Sequence, residues 1–88
     1  RNSQAEIDFL INSREFGLIP VEVKSGDNSK LKSLQLFMMD SSAKLAIRFW
    51  NNFETRDIIK LPNGKEFTLF NLPFYYAGFI EKYLAAKL

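Results

Sequence analysis

Three side chains near the start of the sequence combine type and spacing in a way that could do chemistry: Asp8, Glu22 and Lys24. They lie in AEIDFLINSREFGLIPVEVKSG, residues 5–26, inside two apolar runs that alternate as β-strands do. In the first run Ile7, Phe9 and Ile11 share one face, and Glu6, Asp8, Leu10 and Asn12 share the other. In the second, Ile19, Val21 and Val23 oppose Pro20, Glu22 and Lys24. The loop SREFG, ending in Gly17, joins the runs as a hairpin. With that loop centred near Glu15, residues pair when their numbers sum to about 30, while sums of about 28 or 32 also keep the apolar faces together. At the first of these registers Asp8 faces Glu22 and Glu6 faces Lys24, all on one side. Like charges directly opposite are destabilising. Two carboxylates so placed require a positive partner, or one of them a proton. A magnesium or manganese ion held by Asp8, Glu22 and a backbone carbonyl supplies that charge. Lys24 would then sit beside the metal, placed to stabilise a phosphoryl anion or position a water. The same residues also suit an ordinary solvated hairpin face with a salt bridge, and spacing alone leaves both readings open.

Composition restricts the chemistry further. There are no cysteines and no histidines, which removes disulfides, thiolate nucleophiles, zinc fingers and Ser-His or Cys-His catalysis. Any metal must be held by oxygen ligands. A net charge of +2 argues neither for nor against nucleic acid, since a local basic face can coexist with a near-neutral total. The 88 residues suit one small domain, 1–88, and a hydrophobic fraction of 47% suits a folded one. No apolar run is long enough to span a membrane, and no signal-peptide pattern opens the chain. A cytoplasmic location is expected. The sequence opens on Arg1 and enters a strand-like run almost at once, as expected of a fragment of a longer polypeptide.

The rest of the chain must position those three residues. SGDNS breaks the second strand, and Asn28 or Ser29 can cap a helix from about Lys30 to Asp40, with Leu31, Leu34 and Met38 on one face. KLAIRFW, 44–50, alternates as a third strand. DIIKL and EFTLF flank PNGK, whose Asn-Gly is a turn signal, and form a second hairpin. Asn71 then precedes LPFYYAGFIEKYLAAKL, a helix with Pro73 in its first turn and Leu72, Tyr76, Ile80, Tyr83 and Leu84 as its apolar stripe. The expected order is strand, strand, helix, strand, strand, strand, helix: an α/β or α+β fold with a mixed sheet. The segment Leu18–Trp50 would be a parallel crossover.

An acid followed by Glu-x-Lys on adjacent strands is the motif of the PD-(D/E)XK nuclease superfamily. More narrowly, AEIDFLI, IPVEVKSG, KLKSLQLF, KLAIRF and LPFYYAG together resemble a domain of unknown function at the carboxyl terminus of many prokaryotic AAA+ ATPases. The resemblance covers nearly all of the chain. It implies a truncated restriction-endonuclease-like fold, with Asp8 and Glu22 as metal ligands and Lys24 as the catalytic lysine. Gln35, on the following helix, matches a glutamine that some superfamily members use. The superfamily's first helix and first strand, and an acid that often completes the site, have no counterpart here. No G-x-x-x-x-G-K stretch occurs, so ATP would bind only to a preceding ATPase domain.

The resemblance implies DNA binding or metal-dependent phosphodiester cleavage by the full-length protein. The other reading is a non-catalytic module that docks the ATPase domain or another protein. Lys30, Lys32, Lys44 and Arg48 are candidate phosphate contacts. Trp50, Phe53, Phe70, Phe74, Tyr75 and Tyr76 suit base stacking, or core and interface packing. A sheet edge without its covering elements leads to an expectation of self-association.

Overall fold

The computed structural model describes residues 7–24 and 31–88. Its elements are β1 (Phe9–Ser13), β2 (Gly17–Val23), α1 (Leu31–Asp40), β3 (Leu45–Trp50), β4 (Thr55–Lys60), β5 (Glu66–Pro73), a 3-10 segment (Phe74–Phe79) and α2 (Ile80–Lys87). The fold is α+β and the order is the one expected. One five-stranded sheet runs β1-β2-β3-β5-β4. Its centre, β2, β3 and β5, is parallel, and both edges, β1 and β4, are antiparallel to their neighbours.

The first hairpin has the expected register. Phe9 pairs with Val21, Ile11 with Ile19 and Ser13 with Gly17, and each pair of numbers sums to 30. Gly17 has φ of 79°, a left-handed conformation that glycine reaches without a Cβ clash. Ser13 Oγ accepts the Phe16 N–H at 3.0 Å inside the turn. The second hairpin turns at Gly64, with φ of 91°, as its Asn-Gly signal requires.

Pro20 sits within β2 without breaking it. Val23 N–H points toward the β1 side, to Asp8, and Lys24 N–H points toward β3, to the Phe49 carbonyl. Alternation therefore turns the Pro20 nitrogen toward β3, whose pairing with β2 begins only at Val21.

Two apolar clusters lie on the two faces of the sheet. On one, Ile19, Val21, Ile47, Phe49, Phe70 and Leu72 pack against Ile80, Tyr83 and Leu84 of α2. Those three helix residues recur at i, i+3 and i+4, which makes one buried stripe. On the other, Leu34 and Met38 of α1 pack against Ala46, Leu61, Phe67 and Leu69. Burying a side chain of this size contributes about 2 kcal/mol. Lys65 in the β4–β5 hairpin donates from Nζ to the Met38 and Ser41 carbonyls. It thereby satisfies acceptors at the end of α1 and places a cation at the negative pole of the helix.

Three expectations need correction. Strand β1 begins at Phe9, and Ile7 packs with the α1-side cluster rather than with Ile11. The last helix does not start at Leu72, because Asn71, Leu72 and Pro73 complete β5, pairing with Arg48, Phe49 and Trp50. Pro73 ends that ladder, having no N–H to donate. Finally, the polar face of the first hairpin is not uniformly solvated, since Glu22 is 0% exposed.

Candidate functional site

The polar residues of the first hairpin belong to a row that crosses the whole sheet on the α1 side. Continuing the β1–β2 register by one step places Asp8 opposite Glu22. Glu22 pairs with Arg48, Arg48 with Asn71, and Asn71 with Thr55. Five strands' worth of backbone register thus lines up an acid, an acid, a base, an amide and a hydroxyl. The row lies toward the carboxyl ends of the parallel strands, where open α/β sheets bind ligands.

Asp8 does structural work there. Its Oδ2 accepts the Val23 N–H at 2.8 Å, one step beyond the start of β1. A side-chain carboxylate replaces the backbone acceptor that the strand no longer supplies.

Arg48 organises the middle of the row. Its Nε donates to Asn71 Oδ1 at 2.7 Å. Asn71, 1% exposed, in turn donates from Nδ2 to Thr55 Oγ1 at 3.1 Å and to Asp57 Oδ2 at 3.2 Å. Burial lowers the Arg48 pKa from its ordinary value, and the charges of Asp57 and Glu22 counter it. Arg48 thus gives Glu22 a positive neighbour from within the chain. Arg48 also lies over the Trp50 indole, with Cζ 5.6 Å from the ring centroid. Lys24 approaches the same ring, its Nζ at 5.7 Å.

The row brings together Asp8, Glu22, Lys24 and Arg48. Lys32 and Gln35 stand on α1, outside it, Lys32 exposed and Gln35 half-buried. Because Lys65 fixes the far end of α1 near the start of β5, the first turn with Lys32 lies toward the carboxyl end of β2. Lys44 precedes β3, about 20 Å along the strand from Trp50, and so belongs to the opposite end of the sheet. Lys30 and the expected Glu6–Lys24 pairing fall outside the described residues.

The donor set does not complete a divalent-cation site among the described residues. A hard cation takes six or more oxygen ligands, several of them anionic. Asp8 has one oxygen committed to a backbone N–H, and Glu22 lies beside a guanidinium. No group of three or more acids gathers to hold a metal among the described residues.

Beyond Trp50 the sheet ends in an aromatic groove of about 710 Å³, formed by the loop 51–54 and the start of the 3-10 segment. Phe53 is 83% exposed, Tyr75 75% and Phe74 49%. Trp50 Nε1 donates to the Phe53 carbonyl at 2.8 Å, and Asn52 Oδ1 accepts the Phe53 N–H at 2.8 Å. Behind the groove, Glu54 accepts from the hydroxyls of Tyr83 and Tyr76 and pairs with Lys87 at 3.5 Å. The Tyr83 bond, opposed by partial burial and aided by Tyr76 and Lys87, holds the Glu54 carboxyl below its ordinary range. Burial, followed by the Glu54 bond and charge, pushes both phenols up. Sequence reasoning identified these aromatics but not the Glu54 hub or Asn71, whose signals are tertiary.

Among known protein families, the model of a domain of unknown function, DUF4143, matches residues 1–72. That is most of the chain, and the chain belongs to that family. No curated protein and no solved structure matches it. No helix among the described residues is long and apolar enough to cross a membrane.

Proposed function

We propose that this DUF4143 chain is a nucleic-acid-binding module with a restriction-endonuclease-like fold, carried at the carboxyl terminus of a prokaryotic AAA+-type ATPase. The observation that carries this reading is the hairpin register. Continued by one step it sets Asp8 opposite Glu22, with Lys24 two residues on and Arg48 paired with Glu22, an arrangement that supports the PD-(D/E)XK resemblance. Lys24 and Lys32 face the phosphates, and Arg48 keeps the row in register. Binding is the role given to these residues because Asp8 commits one oxygen to the Val23 N–H and Glu22 lies beside the Arg48 guanidinium. No hydrolytic step is assigned to them, and ATP is handled by the ATPase domain.

The test is duplex and single-stranded DNA binding by fluorescence anisotropy across a salt series, with a parallel magnesium titration by calorimetry. Salt-dependent binding, weakened in Lys24→Ala with the salt slope reduced by about 1, is the expected result. Absence of binding to either DNA at low salt overturns it. Magnesium binding that disappears in Asp8→Ala would restore the metal-dependent nuclease reading.

A second reading rests on a different surface. Strand β1 is an edge strand of five residues without a charge, and its Phe9 and Leu10 are 60% and 51% exposed. Edges are normally protected by charge, proline or bulges. Here the edge suits docking of the ATPase domain or self-association of the isolated chain. Concentration-dependent mass in light scattering, abolished by Leu10→Lys, supports that reading, and a monomer at all concentrations removes the self-association.

A further inference from the structure

We infer that the groove lined by Trp50, Phe53, Phe74, Tyr75 and Tyr76 takes unpaired bases, so that the nucleic acid this module prefers is single-stranded. The inference rests on the nucleic-acid reading above and names its substrate class.

Four observations meet at the groove. First, its rings are held from behind and open in front. Phe74 stacks on Phe49 with centroids 6.1 Å apart, Tyr76 is bound through its hydroxyl to Glu54, and the backbone of Phe53 is fixed on both sides by Trp50 and Asn52. Phe53 and Tyr75 nevertheless show more than 70% of their surface to solvent. The Phe74 and Tyr76 rings, anchored in this way, lose little entropy when a planar group stacks on them.

Second, Glu54, the acid among the described residues that line the groove, does not confront an incoming phosphate as a bare charge. Glu54 is occupied by two phenols and the Lys87 ammonium. Third, Trp50 joins the groove to the basic part of the row, with Lys24 and Arg48 both within 6 Å of its ring. A base on the aromatic side would leave its phosphate on the cationic side. Fourth, Asn51 and Asn52 are exposed at the rim, and the Asn52 Nδ2 remains a donor while its Oδ1 accepts from Phe53.

Stacking needs a π-face, and in a duplex both faces of each base are already covered by neighbours. Single strands offer those faces regardless of sequence. The groove volume of about 710 Å³ lies within the range of small-ligand sites, about 300–1,000 Å³.

Trp50 is the single tryptophan of the chain, so its fluorescence reports the junction of the groove and the row. The experiment titrates the chain with an oligothymidine of about 12 nucleotides and with a blunt duplex of the same length. It is repeated on Phe53→Ala and Tyr75→Ala, two exposed positions whose folding is checked by circular dichroism. The expected result is quenching of Trp50 by oligothymidine and tighter binding to it than to duplex. Each variant weakens the single strand about 10-fold while leaving duplex affinity unchanged. Duplex binding equal to or tighter than single-strand binding, with both variants silent, overturns the inference and leaves the nucleic-acid reading standing. Failure of both nucleic acids to bind removes the two together, and the groove is then a protein-docking surface.

Discussion

The Asp8 carboxylate accepts the Val23 backbone N–H at 2.8 Å, across fifteen positions of sequence. The residue that motif reasoning places at a metal is thus first a strand residue, extending the β1–β2 ladder one step past the end of its backbone pairing.

That bond makes a stability prediction. Asp8→Ala removes the acceptor and costs about 1 kcal/mol, whereas Asp8→Asn keeps an amide oxygen in place and costs less. Urea denaturation measures the loss, and hydrogen exchange localises it. The Val23 amide exchanges faster in Asp8→Ala and near the wild-type rate in Asp8→Asn. Unchanged protection of Val23 in the alanine variant would show that the carboxylate is not its acceptor.

Arg48, half-buried, and Glu22, fully buried, are register partners, and they should be coupled. Arg48→Met leaves a carboxylate in the sheet without its neighbouring charge and strips Asn71 of its donor. The expected loss is about 3 kcal/mol. Adding Glu22→Gln removes the stranded charge and recovers much of that loss. A double-mutant cycle in urea checks this, and strictly additive losses would mean that the two charges do not depend on one another.

Glu54 predicts an acid limb of stability. Its folded carboxyl is held below the ordinary glutamate range, first by the Tyr83 hydroxyl and then by Tyr76 and Lys87 against partial burial. A depressed carboxyl pKa contributes stability that is present above the unfolded value, about 4.3, and is lost as pH falls through the folded value. The melting temperature of the wild type therefore exceeds that of Glu54→Gln near neutrality, and the gap narrows as pH drops below about 4. A gap that stays constant to low pH would mean the variant perturbs packing around Tyr83 rather than charge.

The carboxyl-terminal end of the chain shows where local patterning stops. Asn71-Leu72-Pro73 has the composition of a helix start, with a capping amide and a proline, yet it forms the end of β5. The helical preference is worth about 1 kcal/mol for the cap. Pairing with Arg48, Phe49 and Trp50, burial of Leu72 and the four-residue polar network through Asn71 outweigh it.

What the sequence determined by itself was local and periodic. Alternation along 5–24, the loop ending in Gly17 and the parity rule for strand pairing put Asp8 and Glu22 on one face, because a one-residue slip would turn every apolar side chain outward; the choice among the registers of matching parity belongs to the folded hairpin. The Asn-Gly turn set the second hairpin for the same reason, and helix periodicity set the stripe of α1. Only the tertiary structure decided the strand order, which brings β5 between β3 and β4 and makes Arg48 a neighbour of both Glu22 and Asn71. It alone buried Glu22 and Asn71 within the polar row, and gathered Trp50, Phe53 and Tyr75 at one end of the sheet. Those outcomes depend on contacts between residues far apart in sequence, whose energies no local pattern contains.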